Sequence, residues 1–286
     1  MPVRQSTLLA SLVLLLGIGS VGRPVQAQAL LPYVLPLDEE RLENDGISLA
    51  QDAAQLAQFQ QFEEALARAE LAAQLAPNDP QILALLGSLQ LQLGQTERAI
   101  PVLERAKGLD RDNALVWFAL GSAYFSEGKY LQAANSLETG LEIEPENAGA
   151  RFDLGNTYYR LTRYQQAIDE YEAAVDYEAT LWPAVNNIGL VLYEQGDVEG
   201  AIAKWQESLE LSDEVQSEPQ LAIAVARFTQ GSQQRQAVDQ ATAALERDSR
   251  YADIDFLEEN LWGDRLLAAT RVFFETPALQ ELLPQL

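Results

Sequence analysis

Residues 114–147 read ALVWFALGSAYFSEGKYLQAANSLETGLEIEPEN, and this stretch decides the architecture. Two amphipathic helices are predicted in it, joined by a turn at Glu127–Gly128. Apolar or small residues fall at Trp117, Leu120, Gly121 and Tyr124, then at Ala133, Leu137 and Gly140, which is helical spacing on both arms. Pro145 stops the second helix, because proline lacks the donor a helix interior needs. One such hairpin cannot bury its own apolar face, so it requires copies of itself as neighbours.

The chain supplies them. Gly87, Gly121, Gly155 and Gly189 recur at a constant interval of 34 residues, each inside a first helix. Glycine there costs about 1 kcal/mol relative to alanine, so four in register predict a close helix contact. Repeats then begin at Pro80, Ala114, Ala148 and Trp182. Position 20 of each is Ala99, Ala133, Ala167 or Ala201, and position 24 is Leu103, Leu137, Tyr171 or Trp205. Turn glycines stand at Gly94, Gly128 and Gly196. A weaker copy starts at Gly46, with Ala53 in the glycine's place and Asp52 on an expected core position. Past Asp213 the frame slips by two, and residues 218–250 read as a degenerate hairpin. The predicted organisation is a leader over residues 1–29, a linker over 30–45, the array over 46–250 and a helical cap over 251–286. The cap, with Trp262, Phe273 and Phe274, is expected to cover the apolar end of the stack or, alternatively, to anchor a partner.

Composition narrows the chemistry. The net charge is −24, and so acidic a surface repels nucleic acid and anionic headgroups. Histidine and cysteine are absent, which removes thiolate and imidazole nucleophiles, bases and metal ligands. Glu142, Glu144 and Glu146 crowd Pro145 without the spacing of a calcium loop. No catalytic constellation, metal, cofactor or small-molecule substrate is expected.

Arg4 followed by the apolar run Leu8–Gly19, with Val25-Gln26-Ala27 and Ala27-Gln28-Ala29 as small-x-small cleavage sites, reads as a secretory signal peptide. Export to a periplasm or thylakoid lumen is the expectation, with anchoring by an uncleaved N-terminal helix as the alternative. The glycines of Gly17–Gly22 fit a nucleotide-binding string but stand in this leader with no preceding strand.

These repeats resemble the tetratricopeptide repeat (TPR) family: a large residue, Leu-Gly, Tyr, Ala, an aromatic, Ala and Pro at these spacings over residues 46–213, with Arg111, Ala179 and Asp213 replacing the closing proline. The resemblance implies an all-α, right-handed superhelix of antiparallel helix pairs with the C-terminal helical cap. It assigns Trp117, Tyr124, Tyr158, Tyr171 and Trp205 to packing. It also implies that first helices line a concave groove, placing Phe118, Ser122, Phe125, Phe152, Asn156, Tyr159, Arg160, Asn186, Asn187 and Tyr193 there as a peptide-binding surface. Asp153, Leu190 and Glu194 share that register. Asn156 and Asn187 fall where carboxylate-gripping TPR proteins keep two asparagines, but Phe152, Pro219 and Ile223 stand where those proteins keep basic residues. Internal or apolar segments are therefore the expected ligands. The chain is similar in pattern to TPR proteins that assemble photosystems, which implies a non-enzymatic scaffold or assembly factor for membrane protein complexes. The alternative is a structural, self-associating envelope protein.

Overall fold

Six helical hairpins in succession make up most of the described residues. The computed structural model describes residues 38–231 and 234–286, and the leader and residues 30–37 of the linker lie outside them. The hairpins are α1 (Glu39–Gln58) with α2 (Phe62–Leu75), α3 (Pro80–Gln92) with α4 (Thr96–Leu109), α5 (Ala114–Ser126) with α6 (Tyr130–Ile143), α7 (Ala148–Arg160) with α8 (Tyr164–Tyr177), α9 (Trp182–Gln195) with α10 (Val198–Leu211), and α11 (Ser217–Thr229) with α12 (Gln234–Arg247). Among the described residues there is no strand, and no helix is long and apolar enough to cross a membrane.

Local chemistry sets the boundaries. Asp79 caps α3, its Oδ1 accepting from the amides of Gln81 and Ile82 at 2.9 and 3.0 Å, with Pro80 at the first helical position. Asn147 caps α7 through the amide of Ala150 at 2.9 Å. Helix α1 starts at Glu39, so residues 39–45 of the expected linker are helical. Glu39 and Glu40 stand in its first turn, where acids suit the helix dipole.

The mid-helix glycines are explained by contact. A β-carbon on Gly87 would lie 2.5 Å from Leu103, one on Gly121 2.5 Å from Leu137, and one on Gly155 2.5 Å from Tyr171; Gly189 abuts Trp205 in the same way. Position 8 is therefore the slot into which position 24 of the same hairpin packs. Tyr171 and Trp205 are fully buried, and Tyr158 nearly so. Hairpins are stitched by a repeated bond: the Tyr124 hydroxyl donates to Glu104 at 2.7 Å and that of Tyr158 to Glu138 at 2.6 Å, each from position 11 to position 25 of the preceding repeat.

The turns keep the same interval. Gln60, Gly94, Gly128, Thr162 and Gly196 all have left-handed φ, from 57° to 96°. Two of the five are not glycine, so the turn geometry outlasts the residue that favours it.

Successive first helices touch, α1 with α3, α3 with α5, α5 with α7 and α7 with α9, while second helices make no comparable contact. The array therefore curves toward its first helices, which line the inner face.

After α12 come a 3-10 turn (Ser249–Ala252), α13 (Ile254–Glu259), α14 (Asp264–Phe274) and α15 (Pro277–Leu282). Helix α15 packs on α12, the end of the stack. Helix α14 reaches back onto α11 and α9, burying Trp262 and Phe273. This segment therefore covers the inner face of the last repeats as well as the end of the array.

Candidate peptide-binding face

The inner face divides into two parts with different chemistry. At its C-terminal part, α7, α9 and α11 meet the chain's own C-terminal segment. Arg160 donates to the Glu258 carbonyl at 2.7 Å, and Arg265 donates to that of Tyr193 at 3.1 Å. The Glu194 carboxylate accepts the amides of Arg265 and Leu266 at 3.1 and 3.0 Å, which caps α14. Gly263 allows this approach, since a β-carbon there would lie 2.6 Å from the Tyr159 hydroxyl and would strike Glu194.

Below that segment the polar residues answer one another. Asn156 Oδ1 accepts from the Tyr171 hydroxyl at 2.8 Å and from Asn187 Nδ2 at 2.9 Å. Asn186 donates to Asn187 at 3.2 Å, and the Trp205 indole donates to the Asn186 carbonyl at 3.1 Å. Trp262 Nε1 donates to Glu218 Oε1 at 3.2 Å. Burial pushes the Glu218 carboxyl up to about 7, against the lowering effect of hydrogen bonds from Asn186, Trp262 and Tyr251.

Four of the ten expected peptide contacts are therefore corrected. Tyr159, Asn186, Asn187 and Tyr193 are 7, 1, 8 and 2% exposed and present no surface to a partner. Tyr193 stacks on Trp205 at 5.9 Å, and Tyr159 lies against Tyr164 at 5.8 Å. Arg160 is engaged by the Glu258 carbonyl. Phe152 and Asn156 are half-buried and serve Tyr171, the ring of Phe152 lying 5.9 Å from it. The physical reason is the return of the C-terminal segment over this part of the face.

The N-terminal part of the face is uncovered by any described residue. A groove of about 650 Å³ runs between α3 and α5. It is lined by Gln81, Ala84, Leu85, Ser88, Leu91 and Gln92 from α3, by Asn113, and by Leu115, Phe118, Ala119, Ser122 and Ser126 from α5. No lining residue is charged. Leu115 is 61% exposed. Phe118 and Ser122, both expected here, are here. Phe125 borders a smaller cavity of about 120 Å³ with Asp153 and Asn156. Ser122 donates to Asp153 at 3.1 Å, while burial, the larger effect, pushes that carboxyl up.

The α3 residues escape a reading that follows aromatic rings and asparagines, because in this register those stand only in later repeats. The signal was present: positions 2, 5, 6, 9, 12 and 13 of the repeat from Pro80 are the α3 lining.

Residues 56–122 match a family model described as tetratricopeptide repeat, residues 121–162 one described as TPR repeat and residues 155–219 a further tetratricopeptide repeat model. No curated relative matches the chain at a significant level. Among solved structures, MamA is 24% identical over 56% of this chain and 93% of its own, with a TM-score of 0.51. TTC0263, a thermophilic TPR protein of Thermus thermophilus, is 20% identical over 64% of this chain and 99% of its own, at 0.53. YrrB, described as a TPR protein with an unusual peptide-binding site, is 20% identical over 61% of this chain and 89% of its own, at 0.51. At these identities the likeness is one of fold.

Proposed function

The chain belongs to the tetratricopeptide repeat proteins, and from that premise we propose that it is a non-enzymatic scaffold holding a peptide segment of another protein against α3 and α5. The observation that carries this reading is the uncovered groove of about 650 Å³ between those helices. Leu85, Leu91, Leu115 and Phe118 offer apolar area. Gln81, Ser88, Gln92 and Asn113 offer donors and acceptors that suit a peptide backbone. The peptide-binding site reported for YrrB, on the same fold, lends support.

In its narrower form, the reading makes the chain an exported assembly factor for a membrane protein complex such as a photosystem, acting in a periplasm or thylakoid lumen. That form is supported by the leader-like residues 1–29 and by the repeat pattern. A photo-crosslinking residue at Leu115, compared with one at the exposed Leu131 on α6, tests the groove in native extract. Heterologous adducts from position 115 alone are expected. Adducts from 131 alone overturn the reading, and adducts only to further copies of the chain favour the self-associating alternative.

A further inference from the structure

The inward register of α1, α3 and α5 covers eighteen positions: 47, 50, 51, 54, 57 and 58, then 81, 84, 85, 88, 91 and 92, then 115, 118, 119, 122, 125 and 126. None holds Asp, Glu, Lys or Arg, although charged residues are 22% of the chain and would put about four there. The next two first helices break the pattern with Asp153, Arg160 and Glu194, and each of these charges is answered within the chain. Ser122 donates to Asp153, the Glu258 carbonyl accepts from Arg160, and two amides of α14 donate to Glu194. Arg160 and Glu194 thus stand where the chain's own segment covers the face, Asp153 is held by Ser122 at the edge of α5, and the three helices that no described residue covers carry no charge in this register.

We propose, on the strength of the binding reading above, that the α1–α3–α5 face selects an uncharged, extended segment of a partner protein. A charged side chain laid on this wall would lose water and find no counter-charge at any of those eighteen positions, a cost that a neutral segment avoids. The amides of Gln81 and Gln92 pair with backbone donors and acceptors alike, and Leu115 and Phe118 take apolar side chains between them. Adjacent helices lie roughly 8–10 Å apart, so three of them span about 20 Å, the length of about six extended residues. A second copy of this chain is a poor occupant, because 43 acidic residues against 19 basic ones set copies in mutual repulsion.

The test is selection from a random octapeptide display library on the purified chain, with counter-selection on Ser88→Glu/Leu115→Glu. Both positions are exposed, so the double variant should keep its fold, as circular dichroism and thermal melting will verify. Binders lost by the variant should contain charged residues at least threefold less often than the library does. Variant-sensitive binders rich in Lys or Arg overturn the neutrality claim while leaving the groove reading intact. Binders indifferent to the variant, or no binders, overturn the groove reading itself. Sedimentation of the parent chain closes the remaining route, since self-association abolished by Ser88→Glu/Leu115→Glu would make a second copy the occupant.

Discussion

The carboxylate of Glu194 receives the amide of Leu266 at 3.0 Å, across 72 residues of sequence. With the amide of Arg265 also bound, it caps a helix that its own repeat does not contain. Glu194→Ala removes both charge-assisted bonds, worth about 1–3 kcal/mol to the docked segment. Amide hydrogen exchange over residues 264–270 should accelerate by at least about fivefold while α3–α6 stay protected. Equal protection in variant and parent would show that apolar burial alone holds the segment.

Packing of position 24 against position 8 gives a second expectation. Gly155→Ala should destabilise by about 1–3 kcal/mol, because its β-carbon would lie 2.5 Å from the buried Tyr171 ring. Gly108→Ala in α4 meets nothing within 4 Å and should stabilise by about 0.5–1 kcal/mol through helix propensity. Thermal or urea melting of the two variants should move in opposite directions.

Thr162 occupies the left-handed turn at φ 57°, where a β-branched residue is strained. Replacing it by glycine should add about 1 kcal/mol, the relieved strain exceeding the entropy glycine loses on folding. Gly128→Thr, the reverse change one repeat earlier, should cost a similar amount in the same melting experiment.

Glu218 supplies a pH dependence with a definite sign. Its folded-state value of about 7 lies above the ordinary 4.5, so its contribution is fully present below about pH 4.5 and lost as pH rises through about 7. The groups facing it are Asn186 on α9, Trp262 in the α13–α14 loop and Tyr251 in the 3-10 turn, where Asp248 and Arg250 are the neighbouring charges. Glu218→Gln keeps an acceptor for the Trp262 indole without a titrating proton. Its stability relative to the parent should therefore rise between pH 5 and 7, by about 1–3 kcal/mol. A constant difference across that range would exclude Glu218 as the source.

The repeat itself was legible because its packing is periodic. The four glycines announced a close contact, and the residues they face, Leu103, Leu137, Tyr171 and Trp205, could be named from the same frame. Turns at residues 60 and 162 were less visible because Gln and Thr replace the glycine there, yet the backbone follows the interval regardless. The site was legible only in part. Register puts Phe118 and Ser122 on the inner face, where they line the α3–α5 groove, but it treats every repeat as equally open, and nothing periodic signals that residues 249–286 return over α7, α9 and α11. Amides and tyrosines that resembled ligand contacts are therefore consumed by contacts within the chain, while the plain Gln, Leu and Ser of α3 remain available.

The path taken after α12 also gives the stack a direction of growth. An additional hairpin inserted anywhere between α2 and α10 would meet neighbours of its own kind on both sides. One appended beyond α12 would have to displace α15 and leave Leu279, now fully buried, without its cover. Duplication can lengthen such an array from within, but not by stacking a further hairpin on the face of α12 that α15 occupies.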